Sequence, residues 1–300
     1  MDTCVVSHLI QPVIVGSSKD IRQAVKMCCK AARENSPVLF QGEIGVGKLL
    51  MATYLHHESS RLGKPFLQVD CDFDEGIRDI LSLENVETKL RFLKGGTLYF
   101  REIASLTMDE QARLHRFCLA AEAEGVRVLL GSSQNIHLLM YEKTIDAELY
   151  RYATEWEIYI SPLRQRRDDI MALTAHYIRE FNQRLRKSVQ GLTPQAEEVF
   201  MSYRWPGNVE ELRQSLMRAM ILTAESFIGR RHLAESIGQG VDQFLQNPDV
   251  MPLNRMEELL LRRALSRYGT TLEGKRRAAR ALNISLATLY NKVKRYNVNN

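Results

Sequence analysis

The segment 38–55 constrains the fold more than any other part of this 300-residue sequence. Its apolar run Val-Leu-Phe at 38–40 is typical of a buried strand, and residues 49–55 continue with helical spacing. Between them, Gly-Glu-Ile-Gly-Val-Gly-Lys at 42–48 fits the pattern G-x-x-x-x-G-K. Glycines allow backbone N–H groups to surround phosphate oxygens, and the start of the following helix adds partial positive charge. The segment therefore predicts an α/β fold with a phosphate-binding loop between a strand and a helix.

The same loop predicts which residues hold the phosphates. We expect contacts to a nucleotide from Gly42, Glu43, Ile44, Gly45, Val46, Gly47, Lys48 and Leu49. The Lys48 ammonium can reach the β- and γ-phosphates of ATP or ADP, which are the expected cofactors. Leu49 occupies the position where Ser or Thr normally binds Mg²⁺, so binding of this metal would depend on other groups. The alternative is a glycine-rich turn that binds nothing.

The composition limits what the remaining chain can be. With 45% hydrophobic and 26% charged residues, the chain has the composition of an ordinary globular protein of about two domains. It contains no run of about 18 apolar residues and no signal-peptide pattern, so we expect a cytoplasmic protein without membrane association. The five cysteines form no C-x-x-C pair, which indicates reduced thiols.

Three further features are expected to be structural. His56 and His57 lack a third nearby ligand, so they predict a surface or packing role and no metal site. The charged run Arg-Gln-Arg-Arg-Asp-Asp at 164–169 is expected to be the solvated start of a helix. Trp-Pro-Gly at 205–207 predicts a bend between two helices.

The net charge of +5 is concentrated at the C-terminus. Residues 253–300 contain eleven Lys and Arg against three Glu, a net charge of +8, which leaves −3 for the preceding residues. A mildly acidic body with a compact basic tail predicts two functions on one chain, the second directed at a polyanion such as double-stranded DNA.

The tail also has helix-turn-helix spacing. Residues 256–268 and 275–282 predict two helices, 283–284 a tight turn, and Ser285 the N-cap of a third helix that ends near 296. The start of that last helix would enter the major groove. Candidates for contacts to base edges are Ser285, Leu286, Thr288, Tyr290 and Asn291, and candidates for phosphate contacts are Arg276, Arg277, Lys292, Lys294 and Arg295. The predicted core consists of Ala278, Leu282, Ile284, Leu289 and Val293. The alternative is a basic helical hairpin that docks on a protein.

These segments resemble a known family. Residues 271–298 are similar to the Fis-type helix-turn-helix domain, which usually binds DNA as a dimer. Gly-Gly-Thr-Leu-Tyr-Phe at 95–100, Ser-Pro-Leu-Arg at 161–164 and Tyr-Arg-Trp-Pro-Gly-Asn-Val at 203–209 resemble the bacterial enhancer-binding proteins, the AAA+ activators of sigma-54 RNA polymerase.

The resemblance covers nearly the whole chain in family order, and it implies an architecture. It implies an AAA+ core with a parallel sheet at 1–160, a helical lid at 161–237, a linker at 238–252 and a helix-turn-helix domain at 253–300. It also implies DNA, a second copy or a related activator, and RNA polymerase as partners.

The sequence departs from the family at the hydrolysis site. In the family an apolar strand ends in Asp-Glu, where the Asp organises Mg²⁺ and the Glu helps to activate the attacking water. Here Arg101 replaces the Asp and cannot coordinate Mg²⁺, whereas Glu102 is retained as the candidate catalytic residue. The family's Asn sensor aligns with Ser133, with Gln134 and Asn135 as polar alternatives nearby.

Other departures affect groups that act on the γ-phosphate. The two arginine fingers of the family, which reach a neighbouring subunit, align with Asp146 and Tyr152, and each finger can be worth roughly 10³–10⁵ in rate. Arg151 is one residue away and points about 100° away around a helix. The lid's sensor arginine is replaced by Glu210.

The loop with which the family contacts sigma-54, Gly-Ala-Phe-Thr-Gly-Ala, is missing from the sequence between Cys71 and Gly95. The sequence thus predicts a DNA-binding transcriptional regulator on a degenerate scaffold, which binds ATP or ADP but is deficient in hydrolysis. One alternative is an active ATPase that uses Glu102 and Arg151 as a sigma-54-dependent activator. Another is a subunit that binds no DNA and modulates a complete family member.

Overall fold

The computed structural model describes residues 12–72, 81, 90–233, 237, 260–262, 264–265, 267–269, 271–282, 284 and 286–295. The chain divides into two compact units, Met1–Ile237 and Gly238–Asn300. Within the described ranges, no helix is long and apolar enough to cross a membrane.

A parallel sheet forms the centre of the first unit. Five strands belong to it in the described part of the chain, in the order β2-β3-β4-β1-β5. The strands are β1 (Val38–Gln41), β2 (Phe66–Asp70), β3 (Thr97–Arg101), β4 (Arg127–Ser132) and β5 (Glu157–Tyr159). β1, β3 and β4 are buried on both faces almost throughout, which explains why they are continuous apolar runs rather than alternating ones. The predicted parallel α/β sheet is confirmed.

Helices cover both faces of this sheet. On one face lie α1 (Lys19–Ala31) and α2 (Lys48–His57), and on the other α3 (Met108–Ala123), α4 (Ile136–Tyr141) and α5 (Ala147–Ala153). Successive side chains of a strand point to opposite faces. In β3, Leu98 and Phe100 therefore pack with Phe117 of α3, whereas Tyr99 packs in the core that contains Met51 of α2.

A helical lid completes the first unit. It contains α6 (Asp168–Leu185), α7 (Pro194–Ser202), α8 (Asn208–Leu222), α9 (Arg230–Leu233) and a short parallel pair, β6 (Gly191–Leu192) and β7 (Phe227–Ile228). Trp205 lies fully buried in the lid core, where its indole N–H donates to the Phe200 carbonyl oxygen at 2.9 Å. The backbone at Trp205 has a φ of 51°, which turns the chain between α7 and α8. The predicted bend at 205–207 is confirmed.

The second unit has its own small core. Helices α10 (Leu272–Ala281) and α11 (Leu286–Arg295) pack with helical residues described between 260 and 268. Ala278, Leu289 and Val293 are buried there as predicted, and Leu282 and Ile284 are partly buried. Helix α10 begins at Leu272 rather than at the predicted residue 275, because the Thr271 hydroxyl accepts a hydrogen bond from Gly274 N at 3.1 Å and caps the helix.

Candidate functional site

The predicted phosphate loop lies at the carboxyl end of β1 and leads into α2. Two of its glycines lie too close to their neighbours to carry a side chain. A Cβ at Gly42 would lie 2.5 Å from the Ile160 carbonyl oxygen, and one at Gly45 would lie 2.2 Å from the Gly207 oxygen. Because the sheet is parallel, the ends of β3 and β4 lie at the same edge as this loop. The fold therefore brings the loop together with Arg101, Glu102 and Ser133.

The remaining loop residues differ in exposure. Ile44 is 54% exposed and Leu49 41% exposed, whereas Val46 is buried. Glu43 is partly exposed. Neither Ile44 nor Leu49 carries an oxygen on its side chain, so these two positions contribute backbone groups and apolar surface rather than metal ligands.

Lys48 is buried at the start of α2 and is held by the residues around it. Its Nζ donates to the Gly42 carbonyl oxygen at 2.7 Å and to the Glu43 carbonyl oxygen at 3.3 Å, and it forms an ion pair with Glu102 Oε1 at 2.9 Å. Burial lowers the pKa of Lys48, and the Glu102 carboxylate opposes this shift. The ammonium is therefore positioned beside the loop by its pairing with the candidate catalytic residue.

Glu102 is fixed on its other side as well. Its Oε2 accepts a hydrogen bond from Ser133 N at 2.8 Å, and its backbone has a φ of 59°, in the left-handed region. Ser133, the predicted sensor position, thus acts through its backbone N–H. Of the two polar alternatives, Asn135 caps α4 by accepting from His137 N at 3.0 Å, and Gln134 is exposed. Neither is among the side chains that line the cavity beside the loop.

Arg101 ends β3 and lines the cavity beside the loop. The strand register places it opposite Asp70 of β2, and its Nη1 lies 2.6 Å from Asp70 Oδ2. The Arg101 side chain is 40% exposed and the Asp70 side chain 14% exposed. A guanidinium only donates hydrogen bonds, so this position presents a cation and not a metal ligand.

The cavity has a volume of about 480 Å³ and is large enough for a chain of phosphates. Its wall includes Lys48, Leu49, Arg101, Glu102 and Glu210. An adjoining pocket of about 50 Å³ has a mainly apolar lining, which includes Val15, Leu173 and Val209. The larger cavity joins the cationic side chains of Lys48 and Arg101 to apolar side chains such as Leu49 and Val209, a combination of groups that suits a phosphorylated ligand with an apolar part.

The lid holds the phosphate loop through Asn208. The Asn208 side chain is fully buried, and its Nδ2 donates to the Ile44 carbonyl oxygen at 2.9 Å and to Glu43 Oε2 at 3.2 Å. Its Oδ1 accepts from Leu163 N at 2.8 Å. Arg164 adds an ion pair with Glu43, which lowers the pKa of that carboxyl group. No local sequence pattern predicts this role for Asn208, which directly follows the Trp-Pro-Gly bend.

The predicted solvated helix start at 164–169 is wrong for two of its residues. Arg166 is 3% exposed and donates to the Val46 carbonyl oxygen at 2.9 Å. Asp169 is 0% exposed and accepts hydrogen bonds from Ser17 N at 2.7 Å and from Ser18 N at 2.9 Å. The reason is that a 3₁₀ turn at Leu163–Gln165 precedes the helix, which begins only at Asp168. Charged side chains that looked solvated therefore connect the lid to the phosphate loop and to the segment before α1.

The two aligned finger positions have structural roles within the chain. Asp146 caps α5 by accepting from Leu149 N at 2.9 Å. The Tyr152 hydroxyl donates to Glu122 Oε1 at 2.8 Å, and burial raises the pKa of Tyr152. Arg151 is exposed and pairs with Glu148.

Glu210 places a carboxylate at the cavity. It lies in the first turn of α8, its Oε1 accepts from Gln214 Nε2 at 3.0 Å, and Arg213 Nη1 lies 3.6 Å away. Among the other predicted structural residues, His56 is buried, and its Nδ1 lies 2.8 Å from Thr97 Oγ1. Its predicted packing role is confirmed. Within the described ranges, no group of three or more His, Cys, Asp or Glu residues could hold a metal ion.

The candidate DNA contacts lie in the second unit. Arg276 and Arg277 project from α10, where each lies within 4 Å of a Glu273 carboxylate oxygen, at 3.6 and 3.9 Å. Tyr290 of α11 is 42% exposed, and the Lys275 ammonium lies 4.9 Å from the centre of its ring.

Other candidates differ in what the structure describes of them. Leu286 is partly buried against the core of the second unit, and Thr288 and Lys292 are partly exposed on α11. Ser285 and the side chains of Asn291, Lys294 and Arg295 lie outside the described residues.

Comparison with known families gives matches along most of the first unit. Residues 15–163 match the family described as Sigma-54 interaction domain, and residues 164–247 match the family described as AAA+ ATPase lid domain. The two matches meet at the lid's 3₁₀ turn, at Leu163–Gln165.

Whole proteins of known name are also similar. The chain is 30% identical over 308 residues to the transcriptional regulatory protein ZraR of Salmonella typhi, an alignment that covers 94% of this chain and 68% of ZraR. It is 29% identical over 314 residues to the phenol regulator MopR of Acinetobacter guillouiae, covering 94% of this chain and 56% of MopR. The crystal structure of NtrX from Brucella abortus in complex with ADP has a TM-score of 0.67 and 25% identity, and the match covers 96% of this chain and 69% of NtrX. This likeness confirms the predicted α/β unit with a helical lid.

Proposed function

The chain belongs to the family of sigma-54-dependent transcriptional regulators, and we propose that it is a DNA-binding regulator whose AAA+ unit binds ATP or ADP but is deficient in hydrolysis. The observation that carries this proposal is the composition of the phosphate cavity. A complete phosphate loop and its lysine lie beside Arg101 and Leu49, at the two positions where the family places ligands for Mg²⁺.

Nucleotide binding is supported by the geometry of the first unit. Lys48 and the backbone N–H groups of the loop would hold the phosphates, with the start of α2 adding partial positive charge. The apolar side chains of Val15, Leu173 and Val209 would pack against the base. Crystal structures of the similar protein NtrX contain ADP or ATP. The bound nucleotide would supply charge and contact area that join the lid to the sheet.

Deficient hydrolysis is supported by what the substituted residues do. Arg101 pairs with Asp70, Tyr152 with Glu122, and Asp146 caps a helix, so the replacements are integrated into the fold. Glu210 adds negative charge where the γ-phosphate would lie. The missing finger arginines and the Glu210 carboxylate weaken the electrostatic stabilisation on which phosphoryl transfer depends, and Arg101 removes a ligand for the metal.

DNA binding by a helix-turn-helix domain is supported by the charge and shape of the second unit. The segment 253–300 has a net charge of +8, and α10 and α11 share one core, which leaves Tyr290 exposed. We assign the core to 1–160, the lid to 161–237, the linker to 238–252 and the DNA-binding domain to 253–300. The ten candidate residues from Arg276 to Arg295 would divide into phosphate and base contacts as described above.

The expected partners are inferred from the family and from the absence of its sigma-54 contact sequence. We expect association with a second copy or with a related activator, because the members of this family act on sigma-54 RNA polymerase as assemblies. The sequence between Cys71 and Gly95 lacks Gly-Ala-Phe-Thr-Gly-Ala, so this chain would not open promoters by the usual route. It would instead occupy an enhancer-like site and influence a complete family member there.

An ATPase assay tests the deficiency. We expect phosphate release by the native chain to equal that of the Lys48→Ala variant at the same protein concentration. An assay with a complete family member as positive control shows that the conditions permit turnover. Robust hydrolysis that disappears in the Lys48→Ala variant would instead establish the active ATPase that uses Glu102 and Arg151.

A second experiment tests DNA binding by the full chain. Genome-wide mapping of DNA occupancy should give discrete sites that are lost with Tyr290→Ala and retained with Tyr141→Ala, which replaces another exposed tyrosine, in the first unit. In vitro, Arg276→Ala should weaken the binding of all DNA sequences to a similar extent. It should also reduce the slope of the logarithm of the binding constant against the logarithm of the salt concentration by about 1. Occupancy without sequence preference would favour the alternative of a docking hairpin.

A further inference from the structure

We propose that the phosphate cavity binds a nucleoside di- or triphosphate without Mg²⁺, with the guanidinium of Arg101 in place of the metal's positive charge. This inference rests on the nucleotide binding proposed above. It adds that the free nucleotide is bound in preference to its Mg²⁺ complex. In a site built for the metal complex, Mg²⁺ strengthens binding. In this cavity, Mg²⁺ is expected to weaken it.

The two positions at which the family places ligands for Mg²⁺, here Leu49 and Arg101, do not fit this ion. This ion requires oxygen ligands in nearly octahedral geometry and gives up its water slowly. Leu49 offers no oxygen, and Arg101 offers only N–H donors. The Glu102 carboxylate accepts from Ser133 N at 2.8 Å through Oε2, and its Oε1 pairs with Lys48 Nζ at 2.9 Å, so Oε1 is the one oxygen that a phosphate-bound Lys48 would release. Asp70 Oδ2 is engaged by Arg101 at 2.6 Å.

Positive charge takes the place of those ligands. Arg101 and Lys48 line one cavity, and the charge of Arg101 is among the causes that lower the pKa of Lys48. Two cations that act on each other in this way gain stabilisation when a polyanion lies between them. A guanidinium also matches phosphate oxygens in a bidentate fashion, which an ammonium cannot do.

Arg101 is held in position for this role. The register of β2 and β3 places Asp70 directly opposite it, and their ion pair engages Nη1. Its bond to Asp70 uses one of the five N–H donors of the guanidinium, and no other described residue accepts a hydrogen bond from this group. Because Asp70 is 14% exposed and anchored in the sheet, the pair orients the guanidinium at the carboxyl edge where the loop also ends.

The sign of the magnesium effect follows from charge. Free ATP and ADP are more negative than their Mg²⁺ complexes, so they gain more from Lys48 and Arg101, and the carboxylates of Glu102, Asp70 and Glu210 reduce this gain to a small one. Because Arg101 is 40% exposed, solvent screens part of this attraction. We therefore expect the full chain to bind ADP about fivefold more tightly in EDTA than in excess Mg²⁺.

The test is a titration of the full chain with the fluorescent N-methylanthraniloyl derivative of ADP, in EDTA and in excess Mg²⁺, with unlabelled ATP as competitor. The informative variant combines Arg101→Asp with Asp70→Asn, so that two carboxylates do not face each other across the strands. It should lose about tenfold in affinity in EDTA, and Mg²⁺ should now strengthen its binding. Arg101→Gln, which adds no charge, should remove the preference for metal-free nucleotide.

A matched control has the same change of charge at another position. Arg113 lies on the exposed face of α3, where it is 55% exposed and pairs with Asp109. Arg113→Asp should therefore leave the effect of Mg²⁺ on nucleotide binding as it is in the native chain. Circular dichroism and urea midpoints of every variant establish that it is folded. If the double variant does not fold, Arg101→Gln gives the decisive comparison.

The possible outcomes separate this inference from the proposed function. Tighter binding by the native chain in Mg²⁺ would overturn the inference and leave nucleotide binding intact. An unchanged magnesium response in the folded Arg101 variants would also overturn it. Failure to bind nucleotide in either condition would reject both the inference and the nucleotide-binding part of the proposed function, whereas DNA binding is measured independently.

Discussion

Replacement of Asn208 by Ala is expected to release the phosphate loop from the lid at a large cost in stability. The side chain is fully buried and satisfies two backbone groups, Leu163 N at 2.8 Å and the Ile44 carbonyl oxygen at 2.9 Å. Its backbone φ of 55° lies in the left-handed region, which Asn tolerates better than Ala. The variant thus loses hydrogen bonds and gains backbone strain.

The magnitude can be worked from these contacts. An unsatisfied buried polar group costs ~1–3 kcal/mol, and some water will enter the space left by the amide, so the two groups together should cost about 3 kcal/mol. The left-handed backbone should add about 1 kcal/mol. We therefore expect Asn208→Ala to lower the free energy of unfolding by about 4 kcal/mol, and Asn208→Gly, which tolerates this φ, by about 3 kcal/mol.

Urea denaturation measures both losses. Asn208 N donates to the Trp205 carbonyl oxygen at 2.8 Å, so the fluorescence of Trp205 reports on this region, and Trp156→Phe removes the chain's other tryptophan signal. Asn135→Ala is the matched control, because it removes an exposed cap of α4 and should cost about 1 kcal/mol. If Asn208→Gly cost no more than Asn135→Ala, the buried hydrogen bonds would not be what holds the loop to the lid.

Three further predictions concern charged and titratable side chains. Burial lowers the pKa of His56 below 6.5, so as the pH falls past that value the unfolded chain takes up a proton that the folded chain resists, and stability decreases. The melting temperature should therefore decrease as the pH is lowered from about 7.5 to about 5.5. His56→Gln should reduce this decrease, whereas His57→Gln should not. An equal decrease in the native chain and both variants would show that His56 is not its cause. Asp169→Asn should cost about 3 kcal/mol in urea denaturation because the carboxylate is fully buried and accepts several hydrogen bonds. Arg164→Ala should cost less than about 1 kcal/mol, since Arg164 and Glu43 are 37% and 38% exposed, and a larger loss for Arg164→Ala than for Asp169→Asn would refute this ranking.

Local signals made much of the fold predictable. The apolar strands, the glycine loop and the bend at Trp205 are set by residues that are close in sequence, and the structure contains all three. Helix α10 begins three residues before the predicted position because Thr271 caps it.

Long-range pairing was not predictable in the same way. The sequence marks Arg101 as unusual, but its partner Asp70 follows from the register of two strands that are separated by 26 residues in the chain. Asp169 bonds to residues more than 150 positions earlier, so composition alone indicated a solvated run where the structure has a buried contact. Contacts of this kind are decided by tertiary packing and leave no periodic pattern in the sequence.

The pairing of Asp70 with Arg101 also bears on how such a site changes over generations. A single mutation of Arg101 to Asp would set two carboxylates opposite each other across the strands, and a single mutation of Asp70 would leave the guanidinium without its anchor. Each single mutation is therefore expected to lower the stability of the fold. An Asp at position 101 is therefore compatible with this fold only together with a change at position 70, so the identities of the two residues are coupled through the strand register.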